Sequence, residues 1–183
     1  QIGLRKGWPV LCDAVEKIID DFPQLHVLIA GERYSQKQES SDYEKSLACR
    51  ATDGPLAGRL HWVGYVDAIP EFLRQINVLA HPAFQEPLGR VLLEAAASKT
   101  PVVATLVGGT AEIFGDNSAL LVDAGDAQGL ATALRNVLLD PVTASERAVL
   151  AKERIARLFS VRCFHDSILQ VYRLALRHSL AEQ

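Results

Sequence analysis

One segment combines a glutamate, a proline, a glycine and an arginine in an order suited to binding an anion. It reads Glu86-Pro87-Leu88-Gly89-Arg90. Pro87 predicts a position in the first turn of a helix, because proline lacks the amide that such a position leaves unpaired. The amides of Leu88, Gly89 and Arg90 would then have no intrahelical partner, and Gly89 would let a ligand approach the main chain closely. The segment therefore predicts a site for an anion or for sugar hydroxyls, with Glu86 at the helix entrance.

A second glutamate, Glu94, interrupts the apolar face of the same predicted helix, about two turns further on. A carboxylate in apolar surroundings requires a hydroxyl pair or a cation as its partner. A structural role explains each glutamate equally well when it is taken alone. Glu86 would then favour the helix dipole, and Glu94 would be an exposed or ion-paired helix residue.

Three further loops carry residues that suit a phosphorylated ligand. Arg5 and Lys6 precede a predicted helix and could neutralise phosphate oxygens, while Gly108-Gly109 frees backbone amides. Tyr65-Val66 follow a predicted strand and could line a pocket for a base. Ordinary exposed turns explain these loops about as well. His81 ends a predicted strand and could touch a ligand, although a merely capped or exposed histidine is the commoner case. The histidines and cysteines lack zinc spacing, so no metal site is predicted.

Short apolar runs, most of them bounded by glycine or proline, precede these loops and predict strands buried on both faces. They are residues 25–30, 59–63, 77–80, 101–105 and 119–122, and Ile2-Gly3 resembles the end of a further strand. Segments with a 3.6-residue apolar period, such as 8–21 and 161–178, predict helices between and after them. Capping patterns at Ser41, Asp126 and Thr143 predict three helix starts.

This alternation predicts an α/β fold with a single Rossmann-like, doubly wound parallel sheet, helices on both faces and extra C-terminal helices. In such sheets a ligand lies beyond the carboxyl ends of the strands, where the loops named above are placed. The elements that carry the candidate residues therefore also place them at one edge of the sheet.

Composition limits the possible classes of protein. With 183 residues, 49% hydrophobic and 22% charged, the chain is predicted to form one globular domain over 1–183. A net charge of -3 argues against a nucleic-acid partner. No apolar run reaches the ~18 residues of a membrane span, and no signal peptide opens the chain. Three widely spaced cysteines predict no disulfide and favour a cytoplasmic location. A start at Gln1 and the lack of methionine suggest part of a longer protein.

Taken in order, these residues resemble the C-terminal half of a family four retaining glycosyltransferase (group 1) of the GT-B fold. Its pattern of two glutamates eight positions apart, a Pro-Val-Val strand, a glycine pair and a glutamate matches Glu86, Glu94, Pro101–Ala104, Gly108-Gly109 and Glu112. Its Lys-Gly, its strand–Gly–Tyr–Val and its closing Phe-Ser match Lys6-Gly7, Trp62–Val66 and Phe159-Ser160. The resemblance covers nearly the whole chain, and the combination is specific although each part is weak.

The resemblance implies a role for each matched residue toward a nucleotide diphosphate sugar. Glu94 would bind the ribose hydroxyls, Glu86 would contact the donor sugar, and Lys6 would pair with the diphosphate and assist its departure. In addition, amides around Leu88, Gly89 and Arg90 would hold the sugar or diphosphate, Tyr65 and Val66 would lie near the base, and Arg5, Gly108 and Gly109 would complete the donor site.

The resemblance also implies the reaction and its partners. The reaction would be a retaining, hexosyl-type transfer without an obligatory metal or cofactor, the nucleotide diphosphate sugar being the donor substrate. An acceptor-binding N-terminal domain of the same enzyme would be required, so the 183 residues alone would be inactive. Peripheral membrane contact by the full-length protein stays open.

Three positions depart from the family pattern, the arginine that the family usually carries before its Lys-Gly is not matched, and other functions remain as alternatives. The usual Glu-Gly-Phe-Gly is Glu86-Pro87-Leu88-Gly89, and Lys99 stands where the family commonly has glycine. One alternative is a GT-B relative such as a sugar-nucleotide epimerase or a phosphorylase, although the paired glutamates speak against it. The other is a non-catalytic α/β ligand-binding or regulatory domain. Neither the donor base and sugar nor the acceptor follows from the sequence.

Overall fold

The computed structural model describes residues 3–33 and 36–181, with side chains to residue 176. Its strands are β1 (Val27–Ala30), β2 (Leu60–Gly64), β3 (Leu79–His81), β4 (Val102–Thr105) and β5 (Leu120–Val122). A short 3-10 turn, Leu4–Lys6, precedes the helices α1 (Trp8–Glu16), α2 (Gln38–Thr52), α3 (Ile69–Gln75), α4 (Arg90–Ser98), α5 (Thr110–Phe114), α6 (Ala127–Leu139), α7 (Pro141–Leu158) and α8 (Val161–Ala181). The predicted α/β alternation and the extra C-terminal helices are confirmed.

All strand pairs among the described residues are parallel, as predicted, and these strands are grouped in two sheets, whereas the sequence predicts one. β1 pairs with β2, and β4 lies between β3 and β5. Within the described residues, β1 pairs with β2 on one edge and β3 pairs with β4 on one edge, and no strand pairs with the other edge of either. The proposed strand end at Ile2-Gly3 reaches outside the described residues.

Two apolar clusters cover the two faces of the strands. Val103 in β4 joins the cluster that contains α1 and α6, whereas its neighbours Val102 and Ala104 join the cluster that contains α4 and α7. Because successive side chains of a strand point to opposite faces, this places α1 and α6 on one face and α4 and α7 on the other. Helices therefore lie on both faces of the strands, as predicted.

Helix starts follow local hydrogen bonds, and one of the three capping predictions is confirmed. The Asp126 carboxylate accepts a hydrogen bond from the Gly129 amide at 2.8 Å and caps α6. The prediction for Thr143 is wrong, because Asp140 accepts from the Thr143 amide at 3.0 Å and α7 already begins at Pro141. Ser41 lies inside α2, which begins three residues earlier.

The last helix, α8, leaves many of its apolar side chains in contact with solvent. Val161 and Phe164 are 86% and 69% exposed, and Tyr172 is 65% exposed. Across the described residues, no helix is long and apolar enough to cross a membrane. Cys12, Cys49 and Cys163 are free thiols in the structure.

Candidate functional site

Three loops meet at the carboxyl ends of the strands, and glycines allow the close contacts between them. The backbone amide of Phe84, just after β3, donates to the carbonyl of Arg5 at 2.8 Å. Gly7 is buried at φ 68°, and a Cβ on it would overlap the carbonyl oxygen of Pro82. The turn that carries Lys6 is therefore fixed directly against the loop that follows β3.

The glycine pair after β4 packs against the same loop from its other side. A Cβ on Gly108, which has φ 50°, would overlap the carbonyl oxygen of Glu86. The Gly109 amide donates to the carbonyl of Pro87 at 3.1 Å. Both predicted glycines thus pack against the backbone that carries Glu86.

At the junction of the three loops, Lys6 and Glu86 form an ion pair. Lys6 Nζ lies 2.6 Å from Glu86 Oε2, and the two side chains are 31% and 14% exposed. Burial tends to raise the pKa of the Glu86 carboxyl, but the hydrogen bond and positive charge of Lys6, with help from the Gly89 amide, bring it below its ordinary value. Glu86 is therefore ionised at neutral pH.

His81, the last residue of β3, is the third group at this junction. Its side chain is only 8% exposed, and its Nε2 lies 3.3 Å from the same Glu86 oxygen. Neither ring nitrogen makes a well-aligned hydrogen bond to the described residues. Burial and the nearby Lys6 ammonium lower the pKa of the imidazole, so it is neutral at pH 7. The sequence placed His81 at a strand end but gave no sign of its contact with Glu86.

The start of α4 differs from the prediction made from Pro87. The helix begins at Arg90, and Gly89 is its N-cap residue with φ 80°. Pro87 and Leu88 lie in the loop, so Arg90 is the only one of the three predicted amide donors that belongs to the first helical turn. The physical reason is the left-handed backbone of Gly89, which a continuous helix from Pro87 would not permit.

Glu94 lies on α4 away from the Lys6–Glu86 pair. Its carboxylate is 35% exposed and lies 3.6 Å from Arg90, whose side chain is 89% exposed. Glu94 also lines a mainly apolar groove of about 390 Å³ between α4 and α7, with Lys152 and Phe159 among the other lining residues. The ion pair matches the structural explanation of Glu94, and the groove leaves one side of the carboxylate accessible.

The loop after β2 lies beside a second depression. Tyr65 is 63% exposed and Val66 is partly buried. The depression has a volume of about 360 Å³ and is lined by residues at the ends of β1 and β2, among them Gly31, Trp62 and Gly64. Neither depression is lined by Lys6 or Glu86, so the ion pair lies outside both.

The described residues contain no group of three or more histidine, cysteine, aspartate or glutamate side chains that could hold a metal ion. The ion-paired charges at the loop junction are those of Lys6 and Glu86. The arrangement can bind an anion through Lys6 and hydroxyl groups through Glu86, at the edge of the sheet where α/β folds place their ligands.

An α/β fold with a cation and a carboxylate at this edge defines a domain suited to a phosphorylated, hydroxyl-rich ligand. Comparison with known families identifies the family, because residues 1–156 match the one described as "Glycosyl transferases group 1". The chain belongs to this family.

Curated relatives of the chain are sugar-transferring enzymes by name. It is 30% identical over 168 residues to the lipopolysaccharide core biosynthesis glycosyltransferase LpsE of Rhizobium meliloti, covering 91% of this chain and 46% of that protein. It is 31% identical over 180 residues to a glycogen synthase of Mycobacterium tuberculosis, covering 97% of this chain and 42% of the relative. The chain thus spans less than half the length of these relatives.

Solved structures agree on the fold. HepE of Anabaena in complex with UDP superposes with a TM-score of 0.85 at 26% identity, over 94% of this chain and 46% of that one. The C-terminal domain of the group 1 glycosyl transferase LpcC of Francisella tularensis gives a TM-score of 0.78 at 22% identity, over 87% of this chain and 83% of that one. The neighbours confirm the prediction of one half of a GT-B fold.

Proposed function

We propose that the chain is the donor-binding half of a retaining glycosyltransferase that transfers a sugar from a nucleotide diphosphate sugar. The observation that carries the proposal is the Lys6–Glu86 ion pair, held 2.6 Å apart where three loops meet at the strand ends. A lysine there suits a diphosphate and a carboxylate suits sugar hydroxyls, and a donor substrate presents both groups next to each other. The complexes of HepE with UDP and with UDP-glucose support this class of ligand.

The proposed roles follow the positions of the residues. Lys6 stabilises the negative charge that develops on the leaving diphosphate, together with the first amides of α4. Glu86 accepts hydrogen bonds from the donor sugar. The carboxylate of Glu94 exchanges its exposed Arg90 partner for the ribose hydroxyls, which costs little because an exposed ion pair contributes only ~0.3–0.5 kcal/mol.

Gly108 and Gly109 keep the backbone of Glu86 and Pro87 in place, and Tyr65 and Val66 approach the base. Leu88 and Gly89 shape the loop around the sugar, whereas Arg5 contributes its side chain to the phosphates. Positive charge from Lys6 replaces a metal ion in this proposal, and no cofactor is needed. Stereochemical retention rests on the resemblance to the family.

Binding can be tested on the 183-residue chain by calorimetry against UDP-glucose, GDP-mannose and ADP-glucose, with the matching nucleoside diphosphates. We expect one base to be preferred. Lack of binding by all of them, under conditions in which circular dichroism shows the chain folded, would contradict the proposal.

Transfer can be tested only together with an acceptor-binding domain, because catalysis requires the acceptor to be held in line with the donor. The isolated chain should release no nucleoside diphosphate in the presence of sugar acceptors. The full-length enzyme should give a product with the anomeric configuration of the donor, observed by NMR, and should keep its activity in EDTA. Inversion, or loss of activity on chelation, would contradict the respective part of the proposal.

A further inference from the structure

His81 is the buried titratable group that the proposed function leaves without a role. Its side chain is more than nine-tenths buried, and no well-aligned hydrogen bond to its ring nitrogens is present among the described residues. Buried polar groups nearly always have a partner, so an unpaired imidazole is a feature that requires an explanation. An apolar side chain at the end of β3 would avoid the cost of desolvating two nitrogen atoms.

Within the described part of the chain, the ring faces the carboxylate proposed to bind the donor sugar. Nε2 lies 3.3 Å from Glu86 Oε2, the oxygen that also accepts the hydrogen bond from Lys6 Nζ. A neutral imidazole carries a proton on one nitrogen, and the tautomer with hydrogen on Nε2 directs a donor toward Glu86. A small rotation of either side chain would turn this contact into an aligned hydrogen bond.

The two contacts to Glu86 differ in how firmly they are held. Lys6 has a long side chain, is 31% exposed, and is shared with the diphosphate when a donor binds. His81 extends from the end of a strand paired with β4 and is enclosed by protein. It can therefore hold the Glu86 oxygen in place while the Lys6 ammonium turns toward phosphate.

We infer that His81 is a positioning residue for the donor sugar, which acts by fixing the carboxylate of Glu86 through Nε2 while the diphosphate occupies Lys6. The inference rests on the proposed function and assigns one further residue to it. It concerns the sugar part of the ligand only, because His81 faces Glu86 and is not proposed to meet the nucleotide.

Three substitutions at His81 test the inference. Gln places an amide N–H near the position of Nε2, whereas Asn is too short to reach Glu86 and Leu has no donor. Affinities for UDP-glucose and for UDP are measured by calorimetry, or for GDP-mannose and GDP where that pair is the one the wild-type chain binds. His165→Leu, on the exposed surface of α8, is the matched control, and thermal unfolding shows which variants are folded.

We expect His81→Leu and His81→Asn to weaken UDP-glucose binding about fivefold or more while UDP binding stays within about twofold, as for loss of one hydrogen bond that fixes a charged group. His81→Gln should recover most of the loss. Should Leu not fold, the Asn and Gln variants carry the comparison. Equal losses for UDP and UDP-glucose, unchanged UDP-glucose binding, or a Gln variant no better than Asn would overturn the inference. A wild-type chain that binds neither ligand would instead contradict the proposed function.

Discussion

Replacing Lys6 by methionine separates a phosphate-binding lysine from a structural one. The substitution keeps the length of the side chain and removes its charge. In the structure Lys6 is 31% exposed and paired with Glu86, so binding of a diphosphate replaces or shares an interaction that already exists. A charge-assisted hydrogen bond to phosphate contributes about 1.5–3 kcal/mol, and weakening the partly exposed ion pair offsets roughly 0.2–1 kcal/mol of this.

The net loss of binding free energy for a nucleoside diphosphate should therefore be about 1–2 kcal/mol, a roughly 5- to 30-fold increase in Kd. The free nucleoside, which has no phosphate, should bind with nearly unchanged affinity. The assay is calorimetry of UDP and uridine, or of GDP and guanosine, at low and at moderate salt.

Lys17→Met is the matched control, because it removes the same charge from an exposed lysine at the opposite end of α1. This control should change neither affinity beyond a small general effect of net charge. Equal losses for nucleoside and diphosphate in Lys6→Met, or a loss in Lys17→Met as large as that in Lys6→Met, would refute the assignment of Lys6 to the phosphates.

Three other substitutions and a pH series test further parts of the account. Glu94→Gln should lower nucleotide affinity by roughly 5- to 150-fold and leave the melting temperature nearly unchanged. If Glu94 is only a structural ion-pair partner, the melting temperature should fall and the nucleotide affinity should stay unchanged. Gly108→Ala should lower the unfolding free energy in urea by about 2–4 kcal/mol, from overlap with a backbone carbonyl and from φ 50°. Gly54→Ala, at φ 83° and with open space around it, should lower it by only about 1 kcal/mol. Lys99→Gly should raise the unfolding free energy by about 0.5–1 kcal/mol, since Lys99 ends α4 at φ 58°; a decrease would contradict the assigned strain. Burial and, to a smaller extent, the Lys6 charge lower the pKa of His81 from its ordinary value of 6.5, so below that pH the unfolded chain binds more protons than the folded chain. The unfolding free energy should therefore fall as the pH decreases from 6.5, and His81→Leu should reduce this pH dependence. An unchanged pH dependence in His81→Leu would argue against a buried neutral imidazole.

The strands were predictable because each apolar run is short and most of them are bounded by glycine or proline. Each strand of the structure lies within, or one residue beyond, a run identified in the sequence, for example Leu60–Gly64 against residues 59–63. The division into two sheets was not predictable, because pairing depends on which strands are neighbours in space.

Helix starts were less predictable, because several residues can compete for the same amide. Asp140 and Thr143 are both residue types that can cap the start of α7. In the structure the carboxylate of Asp140 is the cap, because it accepts a hydrogen bond from the Thr143 amide. At α4, Pro87 suits a first turn, but the left-handed backbone of Gly89 places the helix start at Arg90.

Single candidate residues stand out in the sequence, but their arrangement in space does not follow from it. Lys6 and Glu86 each stand out in the sequence, yet 80 positions separate them and only the fold brings their atoms to 2.6 Å. The need for glycine at position 108 also follows only from packing, because a Cβ there would overlap the carbonyl oxygen of Glu86. The burial of His81 against that carboxylate has no sequence signal beyond its place at a strand end.

We propose that a nucleotide diphosphate sugar binds where the three loops meet. The most direct test is an NMR titration of the isotopically labelled chain with the sugar nucleotide that calorimetry selects, following each backbone amide. We expect the largest shifts at residues 3–7, 82–90 and 106–110, with smaller changes near Glu94 and Tyr65. Shifts that leave these three loops unchanged and cluster elsewhere, for example on α8, would contradict the proposal.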